Sequence, residues 1–318
     1  MKNVKTLLIL LSISTFIFAS NQRVAALGGN AGYWADDYAN ITNFPASVNN
    51  HNVAWTDGTD FTSIWNSDGT TWGFRGGTGD EIANLMWGNG TMGVTFGLGM
   101  SAEVTEVTCA ADAVDCTPME AADAKTDINI GFGMPLAGMD FGFTTNTTDH
   151  SINLRRAQDV WVWDNILVGL NINGETEEGA GDANMEFNCD FYTNRSYDNG
   201  ASGLFALGFG YDNRGAGEGT GDDGSLALNW TFGVESPMTD WATLRVGYQH
   251  SYDLMNQTGV DADDNGVVLG LGFNYGSFTL DMALNTEGNN HLFNDPVKYV
   301  TGRNDAPLGA GWTISYNW

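Results

Sequence analysis

The final stretch of the chain, residues 310–318, carries an apolar or aromatic side chain at every second position and ends on an aromatic residue. Hydroxyl and amide residues lie between Trp312, Ile314, Tyr316 and Trp318. Because successive side chains of a strand point to opposite sides, this alternation predicts a β-strand with one apolar face. Such a strand closes a membrane barrel, or alternatively ends an ordinary sandwich or jelly roll.

The phase of this strand and its terminal aromatic residue resemble the C-terminal signal by which bacterial outer-membrane barrels are recognised by their assembly machinery. The resemblance implies that the four side chains form that signal, and that the assembly machinery and outer-membrane lipid are partners of the chain. It also implies that the last strand pairs with the first, which removes the open sheet edges that a bilayer excludes.

The first twenty residues have the composition of a secretory signal peptide. Lys2 and Lys5 precede an apolar run over residues 7–19, and the small residues Ala19 and Ser20 follow. The run is shorter than the roughly 20 apolar residues of a membrane-spanning helix. The sequence therefore predicts export, with cleavage near Ala19 or Ser20.

The same alternation recurs along most of the chain. The clearest runs are 92–100, 128–134, 205–211, 226–234, 244–248, 269–275 and 278–284, each with one large apolar face and one glycine-rich or polar face. A content of 42 Gly and 6 Pro, with only 16% charged residues, suits short strands better than helices. We expect an all-β fold: a single antiparallel transmembrane β-barrel of about 14 strands, within about 12 to 16. About twelve of them follow Thr91, and weaker runs lie near 72–74 and 82–87.

The connections between these runs sort by length. If Trp318 lies at the periplasmic end, the long acidic connections share the outer end, at 103–123, 174–183, 212–224, 253–266 and 287–307. Shorter turns fall at the periplasmic end, at 135–137, 164–165 and 275–277, with longer ones at 193–200 and 235–240. Short periplasmic turns opposite long outer loops are typical of transmembrane barrels.

Residues 35–48, which lack the alternation, read ADDYANITNFPASV. This stretch resembles the N-terminal motif of the FadL-type transporters of hydrophobic compounds and their PorV-like relatives, in which an acidic pair precedes an Asn-Pro-Ala or Asn-x-Pro-Ala turn. Here Phe44 separates Asn43 from Pro45. The resemblance implies a 14-stranded barrel with residues 27–48 folded into the lumen as a plug; the alternative is a periplasmic lead-in with a turn at Pro45. The predicted divisions are a signal peptide (1–20), a plug or lead-in segment (21–50) and the barrel (51–318).

The net charge excludes one class of partner. Two of the 12 Lys and Arg precede residue 20 and all 39 Asp and Glu follow it, so the exported chain has 29 more acidic than basic residues. Nucleic acid is not expected to bind, because phosphate recognition needs a basic face. The acidic excess suits solvated outer loops.

The inward phase of the predicted strands assigns several charged side chains to the lumen. These lumen-lining candidates are Asp127, Asp140, Glu186, Asp190, Arg245 and Asp281. Their acidic majority favours cations if the lumen is open. Arg245 is the one strand cation that the phase places inside, and an ion pair with Asp281 or another inward carboxylate is a hypothesis, as is its simply facing water.

Two outer connections contain further candidate sites. Asp261, Asp263 and Asn265 match the first half of a calcium loop, but Gly272 stands where an EF-hand needs Glu. A weak surface Ca²⁺ site and a plain acidic hairpin turn are the alternatives. Cys109 and Cys116 are close enough in one loop for a disulfide in an exported protein.

No enzyme motif is present in the sequence, because the four histidines are scattered and no nucleophile or zinc-ligand spacing occurs. We expect a passive, porin-like uptake route for small solutes without a resident cofactor, preferring cations or, as the FadL resemblance implies, admitting hydrophobic compounds. One alternative is a closed structural barrel whose acidic loops are an interaction surface. Another is a soluble β-sandwich that binds carbohydrate through exposed Trp side chains.

Overall fold

The computed structural model describes residues 20–77, 81–101, 124–174, 183–213, 224–255, 266–284 and 310–318. It forms one closed antiparallel β-barrel of sixteen strands. The strands are β1 (Val53–Thr56), β2 (Asp60–Ser67), β3 (Thr70–Gly77), β4 (Glu81–Gly88), β5 (Gly93–Ser101), β6 (Lys125–Leu136), β7 (Met139–Thr145), β8 (His150–Val160), β9 (Trp163–Asn173), β10 (Asn184–Ser196), β11 (Ser202–Asn213), β12 (Ser225–Thr239), β13 (Ala242–Asp253), β14 (Gly266–Tyr275), β15 (Phe278–Leu284) and β16 (Ala310–Asn317).

Each strand pairs with its neighbours in sequence, and the terminal strands pair with each other. Residues 53–56 of β1 lie antiparallel to residues 314–317 of β16, with Val53 opposite Asn317. This pairing closes the sheet and leaves it without an open edge. The expectation that the last strand pairs with the first is therefore confirmed.

The predicted number of about 14 strands is too low by two. Strands β5–β16 are the twelve expected after Thr91, and β3 and β4 are the two weaker runs. The strands that the pattern missed are β1 and β2, because Val53, Trp55 and Ile64 share the inward face and contact apolar residues inside the barrel. The alternation of β1 is inverted, and β1 has only four residues. Strand β2 directs Phe61 and Trp65 outward, but Ser63 outward and Ile64 inward interrupt its pattern. The count also departs from the 14 strands that the FadL resemblance implied.

Two predicted turns are strands in the structure. Asp164 and Asn165 lie inside β9, and the preceding turn is formed by Trp161 and Val162. Trp161 has a positive φ of 57° and is 93% exposed. The turn contains no glycine and no Asn-Gly pair, so the sequence carries no usual signal for it. Residues 235–239 continue β12, with a register shift at Pro237. A bulge accommodates the missing amide of proline there, so the strand need not end.

The two ends of the barrel differ in the length of their connections. We define the turn end as the end that carries Val53 and Asn317 together with the short connections, such as 137–138, 161–162 and 276–277. Strand order puts the long connections, which follow β5, β9, β11, β13 and β15, at the other end, here called the loop end. This arrangement follows from antiparallel pairing, in which every second connection shares an end.

The wall has an apolar outer face and a polar or small inner face. Phe96, Ile130, Phe187 and Val234 point outward and are 41–49% exposed. Inward positions are occupied by glycine, threonine and charged side chains, including a fully buried Arg245. This is the pattern of a barrel surrounded by lipid.

Residues 20–50 form a helical segment that we call the lumenal segment. It contains α1 (Asn21–Ala26) and three short 3-10 helices, η1 (Ala31–Tyr33), η2 (Tyr38–Thr42) and η3 (Pro45–Asn50). None of the helices in the described residues is long and apolar enough to cross a membrane. Side-chain caps explain where the helices begin, because Ser20, Asn30 and Asp37 each accept a backbone N–H bond of the following turn.

The lumenal segment lies inside the barrel and contacts its wall in several places. Helix α1 packs against β13–β16, and η3 packs against β3–β7. Between them, Tyr33 stacks on Tyr192 of β10 with ring centroids 5.1 Å apart. The segment thus crosses the lumen. The division of the chain at residues 20 and 50 stays a prediction.

The hydrophobic core of the protein is the interface between the lumenal segment and the wall. One cluster joins Val24, Leu27, Tyr33, Trp34 and Phe44 of the segment to four wall residues, which are Leu167, Tyr192, Leu204 and Ala206. A second cluster joins residues of η2 and η3 to β1, β2 and β4 and comprises Tyr38, Ile41, Val48, Val53, Ile64 and Met86. Burial of these side chains, at ~1.5–3 kcal/mol each, favours docking of the segment.

Glycine at inward positions lets the backbone of the segment approach the wall. A methyl group at Gly142 of β7 would overlap the carbonyl oxygen of Asn43. We expect Gly142→Ala to displace residues 43–46 and destabilise docking by about 1–3 kcal/mol. Limited chymotrypsin digestion would detect this as faster cleavage after Tyr38, because Pro45 protects the bond after Phe44.

The matched control is Gly203→Ala on the wall, where the added methyl group would meet the Tyr197 side chain at 3.4 Å and the Gly233 carbonyl oxygen at 3.8 Å, both ordinary contact distances. Its digestion rate should equal that of the parent chain. Equal rates for both variants would contradict the tight packing at Gly142.

Candidate functional site

Five buried charged side chains meet where the lumenal segment contacts β12, β13 and β15. We call them the lumenal ion cluster: Arg23, Asp37, Glu235, Arg245 and Asp281. Two guanidinium groups share Glu235. Arg23 donates to it through Nε at 2.9 Å and Nη2 at 3.2 Å, and Arg245 donates through Nε at 2.6 Å. Glu235 therefore links the segment to the wall.

Asp281 and Asp37 complete the cluster. Arg245 Nη1 donates to Asp281 Oδ1 at 2.6 Å, and the Ser20 hydroxyl donates to Asp281 Oδ2 at 3.0 Å. Arg23 Nη1 donates to Asp37 Oδ2 at 3.4 Å. Burial raises the pKa of Asp37 to about 7, although the Arg23 charge opposes this shift. The cluster contains three carboxyl groups and two guanidinium groups.

The strand register brings the wall residues of the cluster together. Glu235 of β12 lies directly opposite Arg245 of β13, and Arg245 lies opposite Gly270 of β14. Gly272 of the same strand lies opposite Asp281 of β15. A side chain at Gly272 would overlap the guanidinium of Arg245. Glycine on β14 thus lets Arg245 reach across one strand to Asp281.

The hypothesis of an ion pair between Arg245 and Asp281 is confirmed by this geometry. Sequence reasoning missed Arg23, Asp37 and Glu235. Glu235 continues the inward phase of β12 after Thr231 and would have been found by extending that strand past its predicted end. Arg23 and Asp37 lie in the segment without periodicity, so no sequence signal paired them with the wall.

A second polar contact holds the middle of the lumenal segment. Arg155 of β8 donates to Asp140 Oδ2 through Nε at 3.0 Å and Nη2 at 2.8 Å. Its Nη1 donates to the Gly32 carbonyl and to Asn40 Oδ1, both at 3.1 Å. The same guanidinium lies 4.4 Å from the centre of the Phe44 ring. Arg155 therefore connects Asp140, a predicted lumen residue, to three residues of the segment.

The other predicted lumen residues lie on β6 and β10. Asp190 of β10 is buried and accepts from Asn188 Nδ2 at 3.4 Å, and Glu186 of the same strand accepts from Asn171 Nδ2 at 3.4 Å. Asp127 is half-buried on β6 opposite Gly99. The structure does not bring these three side chains into the lumenal ion cluster.

Three cavities remain beside the lumenal segment. A loop-end cavity of about 290 Å³ is lined by Ile41 and Thr42 of the segment and by wall residues such as Asn129 and Asn146. A side cavity of about 450 Å³ includes Asp190. A turn-end cavity of about 300 Å³ is lined by residues that include Phe44 and Ser47 of the segment. The segment therefore borders cavities toward both ends of the barrel.

The remaining predicted residues are outside the lumen or outside the described residues. Trp312, Ile314, Tyr316 and Trp318 are 38–55% exposed on the outward face, with Tyr316 packed against Phe278. Asp261, Asp263, Asn265, Cys109, Cys116 and residues 1–19 lie outside the described residues.

The three histidines in the described part of the chain have different surroundings and do not form one site. His51 is buried, His150 hydrogen-bonds to Thr145, and His250 packs against the ring of Trp230. Within the described residues, no three His, Cys, Asp or Glu side chains are placed to hold a metal ion.

The chain matches no protein-family model and no curated protein. Among solved structures it is similar to mutants of the Rh. blastica porin. One is 10% identical, with 81% of this chain and 89% of that chain covered and a TM-score of 0.37. A second is 9% identical over the same shares, with a TM-score of 0.37. The assignment of the fold to a closed barrel rests on the strand pairing itself.

Arg23 is the residue of the lumenal segment that binds the wall carboxylate Glu235. We expect Arg23→Met to weaken docking by about 3–5 kcal/mol, because Asp37 then loses its counter-ion while buried. Hydrogen–deuterium exchange in detergent would measure this as faster exchange of backbone amides over residues 21–50.

Arg75→Met is the matched control, because Arg75 pairs with Asp60 on the wall in a partly exposed position. We expect Arg75→Met to weaken docking of the lumenal segment by less than about 1 kcal/mol. Unchanged protection of residues 21–50 in Arg23→Met would show that the ion cluster does not hold the segment.

His51 follows η3, and neither of its ring nitrogens has a hydrogen-bond partner in the described structure. Burial lowers its pKa from 6.5 to about 4. Between pH 6.5 and about pH 4, the His51 imidazole is protonated in the unfolded chain but neutral in the folded chain. The free energy of unfolding therefore falls as the pH drops through this range. This contributes a loss of up to about 3 kcal/mol.

We expect His51→Phe to reduce the acid sensitivity of the thermal unfolding midpoint, compared between about pH 7.5 and about pH 4.5. His250→Phe, an outward substitution, should leave that sensitivity unchanged. Identical pH profiles for the parent chain and His51→Phe would contradict a neutral buried imidazole.

Proposed function

We propose that the protein is an outer-membrane β-barrel that provides a restricted, cation-preferring route for small polar solutes, and that the lumenal segment sets its opening. The observation that carries this proposal is a closed wall with an apolar outer face that encloses polar cavities on both sides of a docked segment. Diffusion is the whole mechanism, and no resident cofactor is required.

The outward surface supports placement in a membrane. Large aromatic side chains collect at the turn end, where Trp161, Trp241, Tyr275 and Trp318 are each more than half exposed. Aromatic residues at the ends of an apolar wall are typical of the girdles that meet the membrane interface. Outer-membrane lipid and the barrel assembly machinery are therefore the proposed partners, and the exposed phase of β16 supports its role as the assembly signal.

The cavity linings favour polar solutes over hydrophobic compounds. The loop-end cavity is lined mainly by amide, hydroxyl and charged side chains, with Ile41 and Met86 among its few apolar ones. The acidic side chains that line the three cavities, Asp140, Asp149 and Asp190, outnumber the guanidinium groups of Arg75 and Arg155, and this excess favours cations. Ile41 and Thr42 border the loop-end cavity, and Phe44, Ala46 and Ser47 border the turn-end cavity, so this part of the segment lies between the two. The docking strength of the segment therefore limits passage.

A second function has its own support. The lumenal segment is held by buried ion pairs and two apolar clusters, as expected for a permanently closed barrel. In that case the protein is a structural or surface-interaction barrel, and its acidic outer loops are the functional surface.

Conductance in planar bilayers distinguishes the two functions. The parent protein is extracted in detergent and reconstituted under a salt gradient beside Arg23→Met, with Gly203→Ala as the matched control. We expect small cation-selective steps from the parent and the control, and larger or more frequent openings from Arg23→Met.

Inserted, heat-modifiable protein that conducts in none of the three forms would favour the closed barrel. Anion-selective steps would contradict the proposed preference. Failure of the protein to insert at all would overturn the membrane assignment.

A further inference from the structure

The lumenal ion cluster has one negative charge more than its side chains can balance. Among the described residues, Asp37, Glu235 and Asp281 pair with Arg23 and Arg245 alone, and all five side chains are at least nine-tenths buried. An unbalanced charge removed from water costs several kcal/mol, so buried carboxylates normally have a counter-ion each. The raised pKa of Asp37 has the direction expected for a surplus carboxylate.

Ser20 is the described residue placed to supply the missing charge. It is fully buried, and its hydroxyl donates to Asp281 Oδ2 at 3.0 Å while accepting from the Arg23 N–H at 3.1 Å. Its backbone nitrogen is separated from that hydroxyl oxygen only by Cα and Cβ, so it lies within about 4 Å of the atom that binds Asp281. In an uncut chain this nitrogen is a neutral amide. In a chain that begins at Ser20 it is an ammonium group at neutral pH, because the α-amino group has a pKa near 8.

We propose that the Ala19–Ser20 bond is the processing site of the chain, and that the new α-ammonium group of Ser20 is the third cation of the lumenal ion cluster. This inference rests on the export proposed above. Water hydrolyses the peptide bond. The water oxygen adds to the carbonyl carbon of Ala19, and the bond from that carbon to the Ser20 nitrogen breaks. Ala19 is left with a carboxylate, and the Ser20 amine takes up a proton. A signal peptidase of the export pathway catalyses the step. Docking of the lumenal segment is complete only in the processed chain.

The neighbouring bond fits the structure less well. Cleavage between Ser20 and Asn21 would remove the hydroxyl that caps α1 and binds Asp281. Loss of such a cap destabilises the start of the helix. Cleavage after Ala19 keeps both hydrogen bonds and adds a charge where the cluster lacks one.

The first test identifies the N-terminus. Intact-mass spectrometry of protein purified from the outer membrane is expected to give a chain that begins at Ser20. An acetylating reagent selective for α-amines should then modify the folded protein at least about tenfold more slowly than the unfolded protein, because the group is buried and paired. A different N-terminus, or equal labelling rates in the two states, would overturn the inference.

The second test separates charge balance from simple packing. The chain is refolded in two forms, one that begins at Ser20 and one whose Ser20 amine is acetylated before folding. Acetylation should speed exchange of the amides over residues 21–50 by at least about tenfold. Asp37→Asn keeps the cap of η2, since Asn caps as well as Asp, but removes one carboxylate.

We expect Asp37→Asn to slow exchange in the acetylated chain, where it removes the surplus charge, and to speed it in the free-amine chain. The same sign in both backgrounds would overturn the charge-balance role. Protein that inserts and conducts but begins at another residue would refute this inference and leave the proposed function intact. Protein that is absent from the outer membrane would refute the proposed function instead.

Discussion

Closure of the wall between β1 and β16 is the constraint on which the rest of the structure depends. A bilayer offers no partner to unpaired backbone amides and carbonyls, so a barrel must close. Here the closing strand β1 has only four residues, and its side chains Val53 and Trp55 point inward. Trp55 stacks on Tyr38 of the lumenal segment with ring centroids 4.2 Å apart. The segment inside the lumen thus supports the shortest strand of the wall.

The apolar side chains of the wall form two surfaces, one on the outward face of the sheet and one on the inward face. The outward face carries side chains suited to lipid, whereas the inward face packs its few apolar residues against the lumenal segment. Charges follow the same division, because Arg155 and the lumenal ion cluster face inward and bind the segment. One segment therefore supplies both the hydrophobic core and the charge partners of the wall.

The sequence predicts the features that follow from alternation. Residues 314–318 indicated closure, and the inward phase of Arg245 and Asp281 indicated their ion pair. Alternation failed at β1 and β2, where Val53, Trp55 and Ile64 face the segment. It failed at Glu235 because residues 235–240 were predicted as a turn, whereas β12 continues past Pro237. Arg23 contacts Glu235 across 212 positions of sequence from a segment without periodicity. A contact of that kind depends on how the chain fills the lumen, which no local pattern encodes.

The hairpin at Trp161 has a consequence for where this protein is stable. A bulky residue at positive φ is strained by ~1–3 kcal/mol, and no described residue covers this indole ring. An indole at a membrane interface gains favourable contact with the headgroup region. In the membrane position proposed above, lipid therefore offsets a conformational cost that water would leave uncompensated. Replacement of Trp161 by glycine would relax the backbone and at the same time remove an anchor that fixes the depth of the barrel in its bilayer.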